Sequence, residues 1–158
     1  MKRSLIFVLL ASLMLVSTRA QPGETLDALK KRYGTPAPQD RRDSRSAVWL
    51  FEGEDGQLAY SVTFDAHGKS IAEGLKPMRY AIFSRTTVQN FIDGQIARYR
   101  ESKTLLSVNP GEKYSFGGKI YTCGHEETVL VDDANNLLII WSRGAVPLVM
   151  AVTHAAMQ

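Results

Sequence analysis

The chain carries one cysteine, Cys123, and a single thiol cannot close an internal disulfide. An exported protein with one thiol hides it, dimerises through it or uses it. Histidine is nearly as scarce: His67, His125 and His154 lie far apart in sequence. A structural zinc site takes four ligands, so this inventory argues against a metal, and no cofactor is expected. The patterns G-x-G-x-x-G, Walker A, H-E-x-x-H and G-x-S-x-G are also missing. Gly117-Gly118-Lys119 lacks the rest of a phosphate loop and reads as a turn. After residue 20 no apolar run approaches the ~20 residues needed to cross a bilayer.

Surplus charge is missing as well, once its position is considered. The chain has 19 Lys and Arg against 16 Asp and Glu, a net charge of +3. Lys2, Arg3 and Arg19 are three of those nineteen, and residues 1–20 hold no acid. Residues 21–158 therefore balance at 16 against 16. A nucleic-acid-binding chain would keep its basic surplus there, so no nucleic-acid partner is expected.

What residues 1–20 do hold is a positive start at Lys2 and Arg3, then an apolar stretch from Leu5 to Val16 broken only by Ser12. Thr18 and Ala20 stand three and one positions before a cut ahead of Gln21. This is the layout of a secretory signal peptide, and the run is too short for a membrane span. The expected location is secreted or periplasmic; the alternative is an uncleaved anchor. Residues 21–158 fit one domain, since domains typically run ~100–150 residues.

Along that domain the first strong pattern is "ETLDALKKRYGTP". Leu26, Leu29 and Tyr33 form one helical stripe, with Glu24 and Asp27 in the first turn and Lys30, Lys31 and Arg32 in the last, as the helix dipole favours. Gly34 and Pro36 stop the helix. The basic run reads as a solvated helix end, with an anionic-partner patch as the alternative. Residues 37–46 read as a polar loop.

Strands follow at 47–51 and 58–64, the second with Leu58, Tyr60, Val62 and Phe64 on one face, joined by a turn cued by Asp55-Gly56. A third runs from about Ser70 to Leu75, limited by Pro77. Val88, Phe91, Ile92, Ile96 and Tyr99 mark a second helix, with a capping box at Thr86 and Gln89. Two strand-like pieces around Gly117-Gly118 come next, then a hairpin turning at Asp132 to Asn136 and an apolar tail that fits either a strand or a short helix, which the repeat order condenses to about three strands.

The expectation is an α+β fold: an antiparallel sheet with two helices packed on one face, arranged as a duplicated helix-βββ unit with halves at 21–83 and 84–158.

"LDALKKRYGTP" resembles the first-helix signature of the small exported BamE/OmlA-like proteins. The duplicated helix-plus-sheet order is similar to the β-lactamase-inhibitor-protein arrangement. "VTFDAHGKS" and "SRTTVQNFI" are also similar to stretches of uncharacterised exported bacterial proteins. BamE-type proteins carry a lipid-bearing cysteine directly after the signal segment, where this chain reads "STRAQPGE". The resemblance therefore implies an exported binding or assembly module without that anchor, and carries over no catalytic residue.

Two candidate sites emerge. Most strand aromatics read as core; those on an open sheet face, with Trp49, Tyr60, Tyr121 and Trp141 as the candidates, would anchor a binding surface. Cys123 reads first as a small buried hydrophobe, with Gly124 marking a strand break or bulge; alternatively Cys123 and His125, two apart in "YTCGHEET", would share a face on a strand and could form a thiol site. Glu126 and Glu127 would point to opposite faces and make no acid–base pair. The leading reading is an exported, non-enzymatic protein-binding or envelope-associated module whose partner is another envelope or secreted protein. The alternatives are a small thiol-dependent enzyme, or a small-ligand carrier with a pocket between helix and sheet.

Overall fold

The computed structural model describes residues 22–38, 45–53, 56–79, 83–97 and 104–158. The signal segment, Asp55, Tyr99 and most of the polar loop after residue 38 lie outside the described residues.

Helix α1 (Leu26–Tyr33) starts where Thr25 accepts a hydrogen bond from the Ala28 N–H at 3.2 Å. It ends at Gly34, whose φ of 79° suits glycine and whose N–H donates to the Lys30 carbonyl at 2.8 Å. Leu29 is its fully buried anchor, flanked by Leu26 and Tyr33. Truncating such a side chain to alanine costs about 2–5 kcal/mol. Arg32 is engaged by the Glu24 carboxylate in a two-pronged ion pair, while Lys30 and Lys31 of the same run are exposed.

Strands β1 (Ser46–Gly53), β2 (Gly56–Phe64) and β3 (Ser70–Pro77) follow, then helix α2 (Arg85–Ile96). Among the described residues the remainder holds six strands rather than about three: β4 (Leu106–Val108), β5 (Lys113–Phe116), β6 (Lys119–Thr122), β7 (Glu127–Asp132), β8 (Leu137–Ser142) and β9 (Leu148–Val152). The tail is both things the sequence allowed, a closing strand followed by a 3-10 turn at His154–Met157.

Seven strands form one antiparallel sheet in the order β1-β2-β3-β9-β8-β7-β4, while β5 and β6 form a separate hairpin. Each half contributes a helix and three consecutive strands, and the third strands, β3 and β9, meet in the middle. The arrangement is a helix-βββ unit repeated about the β3–β9 line, with β4, β5 and β6 inserted into the second copy.

Both helices lie on one face. Leu29 of α1 and Val88, Phe91 and Ile92 of α2 share a core with Trp49, Tyr60, Val62, Leu75, Ile139 and Val149 of the sheet. Strict alternation puts the remaining strand residues on the opposite face. There the β5–β6 hairpin and the terminal turn cover the second half of the sheet, burying Phe116 and Cys123 against Val129, Val131, Leu138 and Val152.

The second helix begins two residues earlier than its capping-box spacing suggests. Ser84, not Thr86, is the cap: its Oγ accepts from the Thr87 N–H at 3.1 Å. Gln89 bonds Asp93 instead of reaching back. Ser84→Ala should lower unfolding stability by about 1 kcal/mol, whereas Thr86→Ala should change it by a few tenths at most; denaturant melts of the two variants decide between the caps.

Candidate functional site

The thiol comes first, because the alternative enzyme depends on it. Strand β6 ends at Thr122, so Cys123 to Glu126 form a turn and not a strand. The two-residue alternation that would align Cys123 with His125 therefore does not apply, and His125 stands exposed while Cys123 is buried at 2 % exposure. The Cys123 Sγ faces the carbonyl oxygens of Gly124, Val108 and Glu127 at 3.6 to 3.9 Å. Burial, followed by the Glu127 carboxylate, pushes its pKa up, away from the thiolate that a nucleophile needs. Glu127 also accepts from the Gly124 N–H at 2.7 Å, and a Cβ at Gly124 would meet the Glu127 carboxyl carbon at 2.9 Å. The turn is thus built around a packed glycine and a small, shielded thiol.

The other histidines are equally accounted for. His67 sits in a turn in which the Asp65 carboxylate accepts from the His67 and Lys69 N–H groups. His154 meets Asp133 at 2.7 Å and packs on the Phe116 ring. No group of three or more His, Cys, Asp or Glu among the described residues is placed to hold a metal.

The four aromatics do not gather on one surface. Trp49 and Tyr60 are buried beneath α1, where they pack with Tyr33 and Phe51; Trp49 Nε1 donates to the Gly34 carbonyl at 2.9 Å. Both are removed as surface candidates, because the apolar face of β1 and β2 that carries them is the face the helices cover. Trp141 lies on the same side, partly buried, with the Arg143 guanidinium over its ring at 4.9 Å. Tyr121 stacks on Tyr114 in the β5–β6 hairpin, on the other side of the sheet.

The most unusual polar group is one that the sequence reading passed over. Glu73, in the middle of β3, points toward the helices and is 1 % exposed. Its Oε1 accepts from Ser70 Oγ at 3.0 Å and its Oε2 from Gln95 Nε2 of α2 at 3.2 Å. Ser70 Oγ in turn accepts from the N–H groups of Gly23 and Glu24, which lead into α1. One carboxyl therefore ties the approach to α1, strand β3 and α2 together.

Two neighbouring buried polar atoms, the Tyr60 hydroxyl and Gln95 Oε1, have no hydrogen-bond partner. Burial dominates the electrostatics, and its two donors offset it only in part, so the Glu73 pKa is raised to about 7. The Tyr60 hydroxyl is driven up too, by burial and then by the Glu73 charge. At 1 % exposure Glu73 has no route to a substrate, and its position is that of a structural hub.

The first half of the uncovered sheet face is different in kind. Alternating residues of β1 to β3 there are Val48, Leu50, Ser61, Thr63 and Lys76, with small Ala59 and Gly74 between them. Leu50 is 46 % exposed, and Thr63 and Lys76 are exposed. Leu148 and Met150 of β9 extend the surface across the seam, half-buried. A Cβ at Gly74 would lie 3.5 Å from Leu148 Cδ1, so the glycine keeps this surface shallow at its centre.

No protein-family profile matches the chain, and no curated protein sequence does. Two solved structures are similar in part: a cysteine-rich secretory protein from Staphylococcus aureus (TM-score 0.41) and an extracellular protein containing an SCP domain from Bacillus anthracis (TM-score 0.42). Each is 10 % identical and covers 86 % of this chain, which matches only 46 % and 45 % of theirs. The chain thus spans less than half the length of either.

Two outcomes follow from this geometry. Glu73 keeps its proton to about pH 7 when folded but only to about 4.5 when unfolded. The folded chain therefore binds more protons between those values. The contribution of this group is full below pH 4.5 and is lost as pH rises through 7, on the order of 3 kcal/mol. Glu73→Gln should flatten that decline in denaturant midpoints measured from pH 4.5 to 8. Cys123 should react with a thiol reagent in the native chain only as fast as the turn opens, and at the rate of a free thiol once the chain is denatured; fast native labelling would contradict its enclosure.

Proposed function

We propose that the chain is an exported, non-enzymatic module that recognises another secreted or envelope protein through the open half of its sheet. The observation that carries this reading is the uncovered surface around Leu50: a half-exposed apolar rim about small residues, on a rigid sheet braced by helices from behind. Contiguous apolar surface of this type is a common basis for protein association. Export is supported by the signal-like layout of residues 1–20. The resemblance of "LDALKKRYGTP" to BamE/OmlA-like proteins, and of the element order to the β-lactamase-inhibitor-protein arrangement, agrees with a binding role.

The thiol-enzyme alternative is disfavoured by the enclosed sulfur and the distant character of His125, one buried and one exposed. The carrier alternative requires a pocket between helix and sheet. Among the described residues a cavity of about 730 Å3 lies elsewhere, lined by β4, β5 and the end of β7.

A photo-crosslinking residue placed at Leu50 or Thr63 should trap a partner from envelope extracts, and the same residue at Asp27 or Asn90 on the helices should not. Leu50→Asp should weaken capture about tenfold, equivalent to ~1.4 kcal/mol. Crosslinks from the helix side alone would point to a different surface.

A further inference from the structure

The cleft of about 730 Å3 between β4 and β5 is bordered by two strand edges. Strand β4 is the last of the seven and pairs on one side only, with β7; β5 pairs only with β6. Among the described residues no backbone group bonds to the outer edge of either strand. Antiparallel pairing turns the N–H and C=O groups of alternate residues away from the paired neighbour, so unpaired backbone donors and acceptors stand along both borders. The opposite end of the sheet is treated otherwise: there the Ala37 N–H donates to the Val48 carbonyl and occupies the β1 edge.

The two borders are joined at a fixed apex. The turn joining β4 to β5 is clamped, with the Gly111 N–H donating to the Cys123 carbonyl and the Cys123 N–H to the Glu112 carbonyl. The cleft is therefore held open by the fold. Its side chains alternate in character: Leu106 is 63 % exposed, Tyr114 is half-buried, and Ser107 and Ser115 are exposed. Its exposed rim carries two carboxylates, Glu112 and Asp133, beside Lys113, while Asp132 is buried beneath them. Glu112 accepts from the Asn109 N–H and Asp133 from the Gly117 N–H and His154, so both rim carboxylates are held in place.

We propose that this cleft binds an extended, lysine- or arginine-bearing segment of a partner protein, which adds to β4 as a further strand while its basic side chains meet the acidic rim. Strand addition of this kind draws affinity from main-chain hydrogen bonds and selectivity from alternate side chains. The volume is within the ~300–1,000 Å3 range of ligand clefts. The inference goes beyond the open face around Leu50, involves none of its residues, and stands or falls separately.

The test uses the full chain, labelled for amide detection by NMR, and an eight-residue acetylated and amidated peptide alternating lysine or threonine with valine. Two controls accompany it: the same peptide N-methylated at every second residue, and one with glutamate for lysine. The expected result is amide shifts and at least tenfold slower hydrogen exchange at Leu106–Val108 and Lys113–Phe116, with binding lost to the N-methylated peptide and weakened for the acidic one. Glu112→Gln, an exposed change that leaves the fold intact, should weaken the lysine peptide about twofold to fivefold, as expected for a rim charge. Equal binding by the N-methylated peptide, shifts confined to other surfaces, or no change at millimolar peptide would overturn the proposal.

Discussion

Four residue pairs hold the two halves in one sheet. Strand β3 meets β9 only from Ala72 to Leu75, opposite Val152 to Val149, and everything else in the molecule is arranged about that short seam. Glu73 lies within it, opposite Ala151, so the buried carboxyl is placed where the halves join. Its bonds to Ser70 and Gln95 fasten a helix from each half onto the same strand. A partly unsatisfied polar cluster is an expensive way to organise a core, and here it fixes which way both helices face. The seam also continues the open surface, because Gly74 and Met150, paired across it, point away from the helices.

The two faces of the sheet then take unlike roles. One is sealed by α1 and α2 and carries the large aromatics; the other is covered only where the inserted hairpin and terminal turn reach. Because the insertion occurs in the second copy alone, the repeat is symmetric in topology and asymmetric in surface. The uncovered half and the cleft beside β4 are both products of that one insertion.

Much of this could be read directly from residue order. The Leu26, Leu29, Tyr33 stripe with its Gly34 stop defines α1, and the alternation of Leu58, Tyr60, Val62 and Phe64 gives both the strand and its buried side. The α+β class and the placement of both helices on one face follow from such local periods. Aromatics were a poor guide to the surface, since period-2 burial sends Trp49 and Tyr60 inward with their neighbours.

Ser84 was hidden as a cap among several hydroxyl residues that could each serve. Glu73 did leave a trace: it falls in phase with Leu75 on a strand whose inward side is apolar, and a charge in that position marks a buried partner. The cleft left none, because it arises from where β4 and β5 end up in space. The turn reading of Cys123 to Glu126 likewise depends on β6 ending early, which is fixed by its pairing with the short β5.

One contrast between the ends of the sheet has a consequence for how molecules of this chain could associate. The β1 border is occupied by a segment in which Pro36 and Pro38 flank Ala37, and proline offers no amide to continue a ladder. β4, at the far end of the sheet, carries no such guard, so a strand from outside meets proline at one end and open backbone at the other.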